Sequence, residues 1–185
     1  MAIWVASRRR GAKSLEAEFP GAAVVDVTSK GPEPWVRFSP FWPHGDVPVP
    51  GMPGTVSASV EGVWQGLKVF EGDDVDPSKF RVTSMKGLKR TVRRHGPVLG
   101  HRLGDELVPY ERARREIYLP TYRWVLENRL GDLVERLRAT GDVVLLDYTV
   151  NGDVADVRTP LSHAALVRSW VGSGTVADAA RRGPG

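Results

Sequence analysis

Glu61, Gln65 and Lys68 stand four and three residues apart, a spacing that puts them on one ridge of an α-helix. A carboxylate, an amide and an ammonium in such a row make a usable reaction centre. The carboxylate orients water or steadies positive charge, the amide fixes a polar edge, and the ammonium meets a phosphate. Glu61 falls in the first turn of the helix expected from Val60, where the helix dipole favours the ionised form. From spacing alone an ordinary wet helix face is the better description, because nearly every surface helix offers such a trio. Val60, Val63, Trp64, Leu67 and Phe70 supply the matching apolar stripe on the other side.

The second concentration of chemistry is charge. Lys79, Arg81, Lys86, Lys89, Arg90, Arg93, Arg94 and Arg102 follow one another with no acid between them, just after an acidic knot of Glu71, Asp73, Asp74 and Asp76. Such a block suits nucleic acid, a nucleotide or a sugar phosphate. It also suits a solvated Arg-rich face in a chain with 26 Lys and Arg against 22 Asp and Glu. Other chemistries are disfavoured. The chain has no Cys, which removes thiolate nucleophiles, disulfides and Cys-held metal. His44, His95, His101 and His163 show no paired metal spacing, so no metal is expected. His44 shares a loop with Asp46 and reads first as polar surface. Ser162-His163 reads as a helix start, because no G-x-S-x-G elbow accompanies it. No Walker or Rossmann glycine pattern is present, so no nucleotide cofactor is expected.

The elements that must position these groups can be read from periodicity and punctuation. The 185 residues suit a single globular domain over 1–171 with a tail over 172–185. Strands are predicted at Ile3–Val5 and Ala22–Thr28, with a weak helix over Ala12–Phe19 between them. Gly31 to Gly54 holds seven prolines, a density that excludes regular structure. Trp35, Phe38, Phe41 and Trp42 in that stretch argue for order, and the loop Trp35–Pro50 is expected to wall a site. Helices are predicted over Val60–Phe70 with Ser59 as N-cap, over Lys86–His95, over Glu111–Tyr118 up to Pro120, over Tyr122–Thr140, and over Ser162–Val171. Val143–Tyr148 is a predicted strand. Asn151-Gly152 then suits a type I′ turn, which would return Val154–Val157 as a late β-hairpin. The sum is a helix-dominated α+β domain. No run of eighteen apolar residues occurs, so no membrane span is expected. The first residues lack the charge order of a secretory signal, which predicts a cytoplasmic protein.

Glu61-Gly62-Val63-Trp64-Gln65-Gly66-Leu67-Lys68 resembles the E-x-x-aromatic-Q-x-x-K motif of the NADAR family, the YbiA-like proteins. Upstream, Phe38-Ser39-Pro40-Phe41 resembles that family's F-S-x-F loop. Downstream, Leu137-Arg138-Ala139-Thr140-Gly141 and the apolar run to Asp147 resemble its L-L-x-T-G helix end and following strand. Order and rough spacing agree over most of Phe38 to Asp153. The chain departs at the close, where Asp147 to Val154 lacks the family's Trp-Gly, and in its first thirty residues, which have no counterpart. It is identified as a divergent member. The resemblance implies a YbiA-like fold and cleavage of an N-glycosidic bond in an ADP-ribosylated or phosphoribosylated amine or base, without metal or cofactor. Glu61 would be the principal catalytic carboxylate. The second acid is open between Asp153, the first choice, and Asp147, whose apolar strand equally suits a structural role. Gln65, Lys68, Lys89 and Arg90 would hold the substrate's polar edge and phosphates. Phe38, Phe41, Trp42 or Trp64 would stack its base. The alternative is a non-catalytic nucleotide or nucleic-acid binding module built on the basic block 79–102.

Overall fold

The computed structural model describes residues 1–173. In chain order its elements are β1 (Ile3–Ser7), α1 (Ala12–Glu18), β2 (Ala23–Asp26), β3 (Val47–Pro48), β4 (Val56–Ser57), α2 (Val60–Gly66), β5 (Lys68–Phe70), α3 (Val92–His95), β6 (Val98–Leu103), β7 (Glu106–Val108), α4 (Tyr110–Ala113), α5 (Leu119–Asn128), α6 (Gly131–Ala139), β8 (Val143–Asp147) and α7 (His163–Gly172). Trp35–Phe38 and Pro77–Arg81 are 3₁₀ turns, and Arg114–Tyr118 is a π-helical stretch. The mixture is α+β, as the sequence pattern predicts. The expected tail lies, from residue 174 onward, outside the described residues. Among the described residues no helix is long and apolar enough to cross a membrane.

The elements gather into two units. The first holds Met1–Phe38, Gly131–Asp153 and the segment from Arg158. Its sheet has the order β1-β8-β2, with β8 parallel to both neighbours. All five residues of β8 are buried. That explains its sequence, Val-Val-Leu-Leu-Asp, because a central parallel strand is covered on both faces and reads as an unbroken apolar run. On one face Leu15 of α1 packs with Ala6, Val144 and Leu146, flanked by Trp4 and Phe19. Each buried valine or leucine of this cluster contributes about 1.5–3 kcal/mol. Asp147, of opposite parity, faces α7. The late hairpin does not form, and Val154–Val157 is not a strand. Asn151 is tied instead to its own loop. Its side chain accepts from the Asp153 N–H at 2.9 Å and donates to the Thr159 carbonyl at 3.2 Å, while its carbonyl accepts from Ser162.

The second unit holds Ser39–Leu130 and Val154–Val157. Its antiparallel sheet has the order β5-β6-β7, and β3 pairs with β4. The proline-rich stretch thus carries a 3₁₀ turn and a short strand, where the proline density predicts neither. α2 ends at Gly66, not at Phe70 as the stripe predicts. Its last carbonyls are taken by distant groups: Gln65 O by the Arg90 guanidinium at 3.2 Å, Gly66 O by the Asp76 N–H at 2.8 Å. Lys68–Phe70 turns away to pair with β6. The predicted helix over Lys86–His95 shrinks to α3. Pro120 does not end a helix, because the π-helical stretch joins α4 to α5 and Pro120 occupies the first turn of α5. The long helix predicted over Tyr122–Thr140 is broken between Asn128 and Gly131 into α5 and α6.

Candidate functional site

Every residue of α2 is buried, so its polar groups do not form the wet face that spacing suggests. Glu61 is 7% exposed and Gln65 5%. Ser59 caps the helix by accepting the Gly62 N–H at 3.0 Å. The Glu61 N–H, another first-turn donor, goes to the Pro40 carbonyl at 2.8 Å, which ties the Ser39-Pro40-Phe41 segment to the start of the helix. Glu61 and Gln65 are one turn apart. The Gln65 amide Nε2 donates to Glu61 Oε1 at 2.8 Å, and Gln65 Oε1 accepts the Arg90 N–H at 3.0 Å. The amide therefore has one orientation, and it fixes that of the carboxylate.

Lys68 opens β5 just after this helix. Burial pulls its ammonium below the usual lysine range, the Glu61 carboxylate opposes that shift, and the charges of Arg90 and Lys89 add to it. Its Nζ lies 5.9 Å from the Trp64 ring centroid. Lys89 is exposed, with Nζ 5.6 Å over the half-buried Phe41 ring. Glu61, Gln65, Lys68, Trp64, Lys89 and Phe41 thus belong to one neighbourhood of the second unit, and Trp42 lies half-buried in the same unit. A buried carboxylate near an ammonium of lowered pKa, with aromatic rings beside the two lysines, can steady a cationic sugar and hold a phosphate.

His101 enters from the neighbouring strand, a residue that sequence reasoning leaves among the scattered histidines. It is the β-register partner of Lys68 and stacks on Trp64 at 3.8 Å between centroids. It is fully buried, and neither ring nitrogen makes a hydrogen bond of ordinary geometry. Burial, then the Lys68 charge, pushes its pKa down to about 3, against a weak opposing pull from the Trp64 backbone. The ring is neutral at physiological pH. The signal that finds it is the β6 strand itself, hidden in Val98-Leu99-Gly100-His101-Arg102-Leu103.

The remaining predicted residues are placed differently. Arg90 is buried and structural in its contacts. Its guanidinium donates to the carbonyls of Gln65, Lys68 and Asp74, pairs with Asp73 at 3.0 Å, and lies 4.8 Å over the Phe70 ring. Phe38 belongs to the first unit, fully buried and stacked on Trp35 at 6.3 Å. Asp153 is exposed and, like Asp147, belongs to the first unit.

Asp147 is 3% exposed. Its Oδ1 accepts from the Tyr148 N–H at 2.7 Å, and its Oδ2 accepts from Ser162 Oγ at 2.8 Å and the Ala164 N–H at 3.3 Å. His163 Nδ1 lies 3.0 Å from the same Oδ2, and Nε2 lies 2.8 Å from the Val27 carbonyl. Both ring nitrogens face acceptors, so the ring is satisfied as imidazolium. Burial opposes the charges of both partners. Asp147 and the hydrogen bonds win for His163, whose pKa is raised, and for Asp147, whose pKa is lowered by His163 and Ser162. Ser162 also accepts the Ala165 N–H at 3.2 Å as the N-cap of α7. Serine, histidine and aspartate therefore meet, but the serine bonds to the aspartate and the histidine has no nitrogen to serve as a base. This is a clamp between β8 and α7, not a nucleophile.

Residues 7–167 match the model of DUF6939, described as a family of unknown function. No curated protein matches the chain.

Proposed function

The chain belongs to the DUF6939 family, and we propose that it is an N-glycosidase acting on an ADP-ribosylated or phosphoribosylated amine or base, with Glu61 as its catalytic carboxylate. The observation that carries this reading is a buried carboxylate held in one orientation by Gln65 and partnered by Lys68. The resemblance of Glu61 to Lys68, and of Phe38 to Phe41, to the NADAR motifs points the same way. N-glycoside cleavage passes through an oxocarbenium-like ribose. The C–N bond breaks with its electron pair leaving on the amine or base, the Glu61 charge steadies the resulting cation, and a water adds at the anomeric carbon while its proton goes to the departing nitrogen. Lys68 and Lys89 take the substrate's phosphates as point charges, and Phe41 or Trp42 takes the ring. Asp147, with both oxygens engaged, has no part in this reading.

The test is turnover of an ADP-ribosyl or phosphoribosyl amine by the wild type and by Glu61→Gln. The glutamine keeps an acceptor for Gln65 and removes the charge. Turnover falls by about a hundredfold or more, with a much smaller change in KM, because the lost charge acts in the transition state. A folded Glu61→Gln protein with near-normal turnover sinks the assignment. A second reading, a binding module for nucleotide or nucleic acid, is favoured by one observation. Arg81, Lys86, Arg93 and Arg94 are exposed and make no ion pair among the described residues.

A further inference from the structure

The parallel sheet of the first unit carries a cluster that the glycosidase reading does not use. In open parallel sheets, ligands bind outside the carboxyl ends of the strands, where adjacent strands send the chain to opposite faces. β1 and β8 are such a pair. After β1 the chain runs to α1, which packs on Ala6, Val144 and Leu146. After β8 it runs to α7, whose Ser162 and His163 bond to Asp147. Asp147 points to the other face, since side chains alternate along a strand.

Arg8 directly follows β1 and Tyr148 directly follows β8. The Arg8 N–H donates to the Asp147 carbonyl at 2.8 Å. Arg8 Nε donates to Asp26 Oδ2 at 2.7 Å. Because β1 and β2 flank β8, the side chain spans the carboxyl end of the central strand. Asp26 is itself fixed, accepting from the Thr28 N–H at 2.9 Å and the Thr28 hydroxyl at 2.7 Å. The guanidinium lies 5.7 Å from the centroid of the Tyr148 ring, which is 48% exposed. Its two terminal nitrogens have no hydrogen bond among the described residues, and neither does the exposed Arg9 side chain next to it.

We propose that this carboxyl edge binds a small phosphorylated ligand bearing a planar ring, of the nucleoside monophosphate class. Arg8 presents its two free terminal nitrogens as a fork to the phosphate, with its orientation already set by Asp26, and Arg9 adds a second cation. A guanidinium matches phosphate oxygens in a way an ammonium does not. Orientation before binding lowers the ordering cost of the complex. The half-exposed Tyr148 ring offers its face to the base.

The experiment is calorimetric titration of the full chain with AMP and, separately, with ribose 5-phosphate. Arg9→Ala and Tyr148→Ala alter solvent-facing side chains, so both proteins stay folded. Each weakens AMP binding by about tenfold, and Arg8→Lys weakens it at least as much. Ribose 5-phosphate, which lacks the ring, is weakened by Arg9→Ala and unaffected by Tyr148→Ala. AMP is itself a phosphoribosylated base, so the titrations are run in a Glu61→Gln background, where it is not hydrolysed, and the two sites are told apart by which substitutions weaken its binding. The proposal is overturned if AMP shows no binding. It is equally overturned if binding is insensitive to Arg9→Ala and Tyr148→Ala while Lys68→Ala or Lys89→Ala abolishes it.

Discussion

Both ring nitrogens of His163 face acceptors and its pKa is raised, which gives the first unit a pH dependence with a definite sign. Among the groups facing the ring are Asp147 from β8, the Val27 carbonyl just past β2, and the more distant charge of Asp26. The folded pKa of His163 is raised above its ordinary 6.5. Its contribution to stability is therefore complete below that value and is lost as pH rises through the folded pKa. Asp147 is the mirror case. Its folded pKa is lowered from 3.8, so its contribution is present above that value and is lost as pH falls through the folded pKa. The clamp is at full strength between the two. Urea unfolding of wild type and His163→Gln across pH is the measurement. The wild type exceeds the variant by about 3 kcal/mol or more near pH ~5, as expected when one partner of a buried pair is removed. The gap narrows as pH rises past the folded pKa of the imidazole. A gap that stays constant from pH ~5 to ~10 contradicts the assignment of a buried imidazolium.

At the scale of elements, what could be read from the sequence and what could not divide by the range of the forces that set them. β1, α1, β2 and α7 follow from local signals: β-branched runs, a proline-glycine stop after Phe19, and Ser162 as a cap. The end of α2 does not, because the Arg90 guanidinium and the Asp76 N–H, far along the chain, take its carbonyls. β8 was legible as a strand but not as a central parallel one, although its unbroken apolar run carried that information. Gly152 has no positive φ, so the turn that Asn151-Gly152 favours in isolation gives way to the loop's own hydrogen bonds. Within the candidate site, Glu61, Gln65 and Lys68 were legible as a motif. The burial of α2 and the stacked His101 were not, since both depend on packing against β6 and the Pro77–Arg81 turn. Gly66 shows that packing directly. A Cβ there would stand 2.2 Å from Phe80 Cε1. Alanine ordinarily stabilises a helix by about 1 kcal/mol over glycine. Here Gly66→Ala has the opposite sign and costs about 1–3 kcal/mol, because the buried Phe80 ring must move. Chemical denaturation measures it, and the added change Phe80→Leu recovers part of the loss. A stabilised Gly66→Ala protein shows that Phe80 does not press on the helix as described.

For the whole molecule, the mild excess of 26 basic over 22 acidic residues matters less than which basic side chains remain available. Arg90 is engaged by three carbonyls and Asp73, Arg102 pairs with Asp74 at 3.4 Å, and Lys79 donates to Gly87 O at 2.8 Å. The acidic knot and the basic block, adjacent in sequence, thus partly neutralise each other in the second unit. Arg81, Lys86, Lys89, Arg93 and Arg94 remain exposed. If a polyanion binds, these side chains release its counterions, and the logarithm of affinity falls linearly with the logarithm of salt. Arg93 and Arg94, side by side on α3, are the sharpest test. Their joint replacement by Glu lowers the magnitude of the salt slope for a single-stranded oligonucleotide by about 1–2, with affinity reduced uniformly across sequences. Arg90 is unsuited to that experiment, since its loss frees the Gln65 carbonyl at the end of α2 and leaves Asp73 with His95 alone. An unchanged slope in the Arg93→Glu, Arg94→Glu protein removes the nucleic-acid reading. Glu61-dependent turnover is a separate measurement, so the glycosidase reading stands or falls independently of that result.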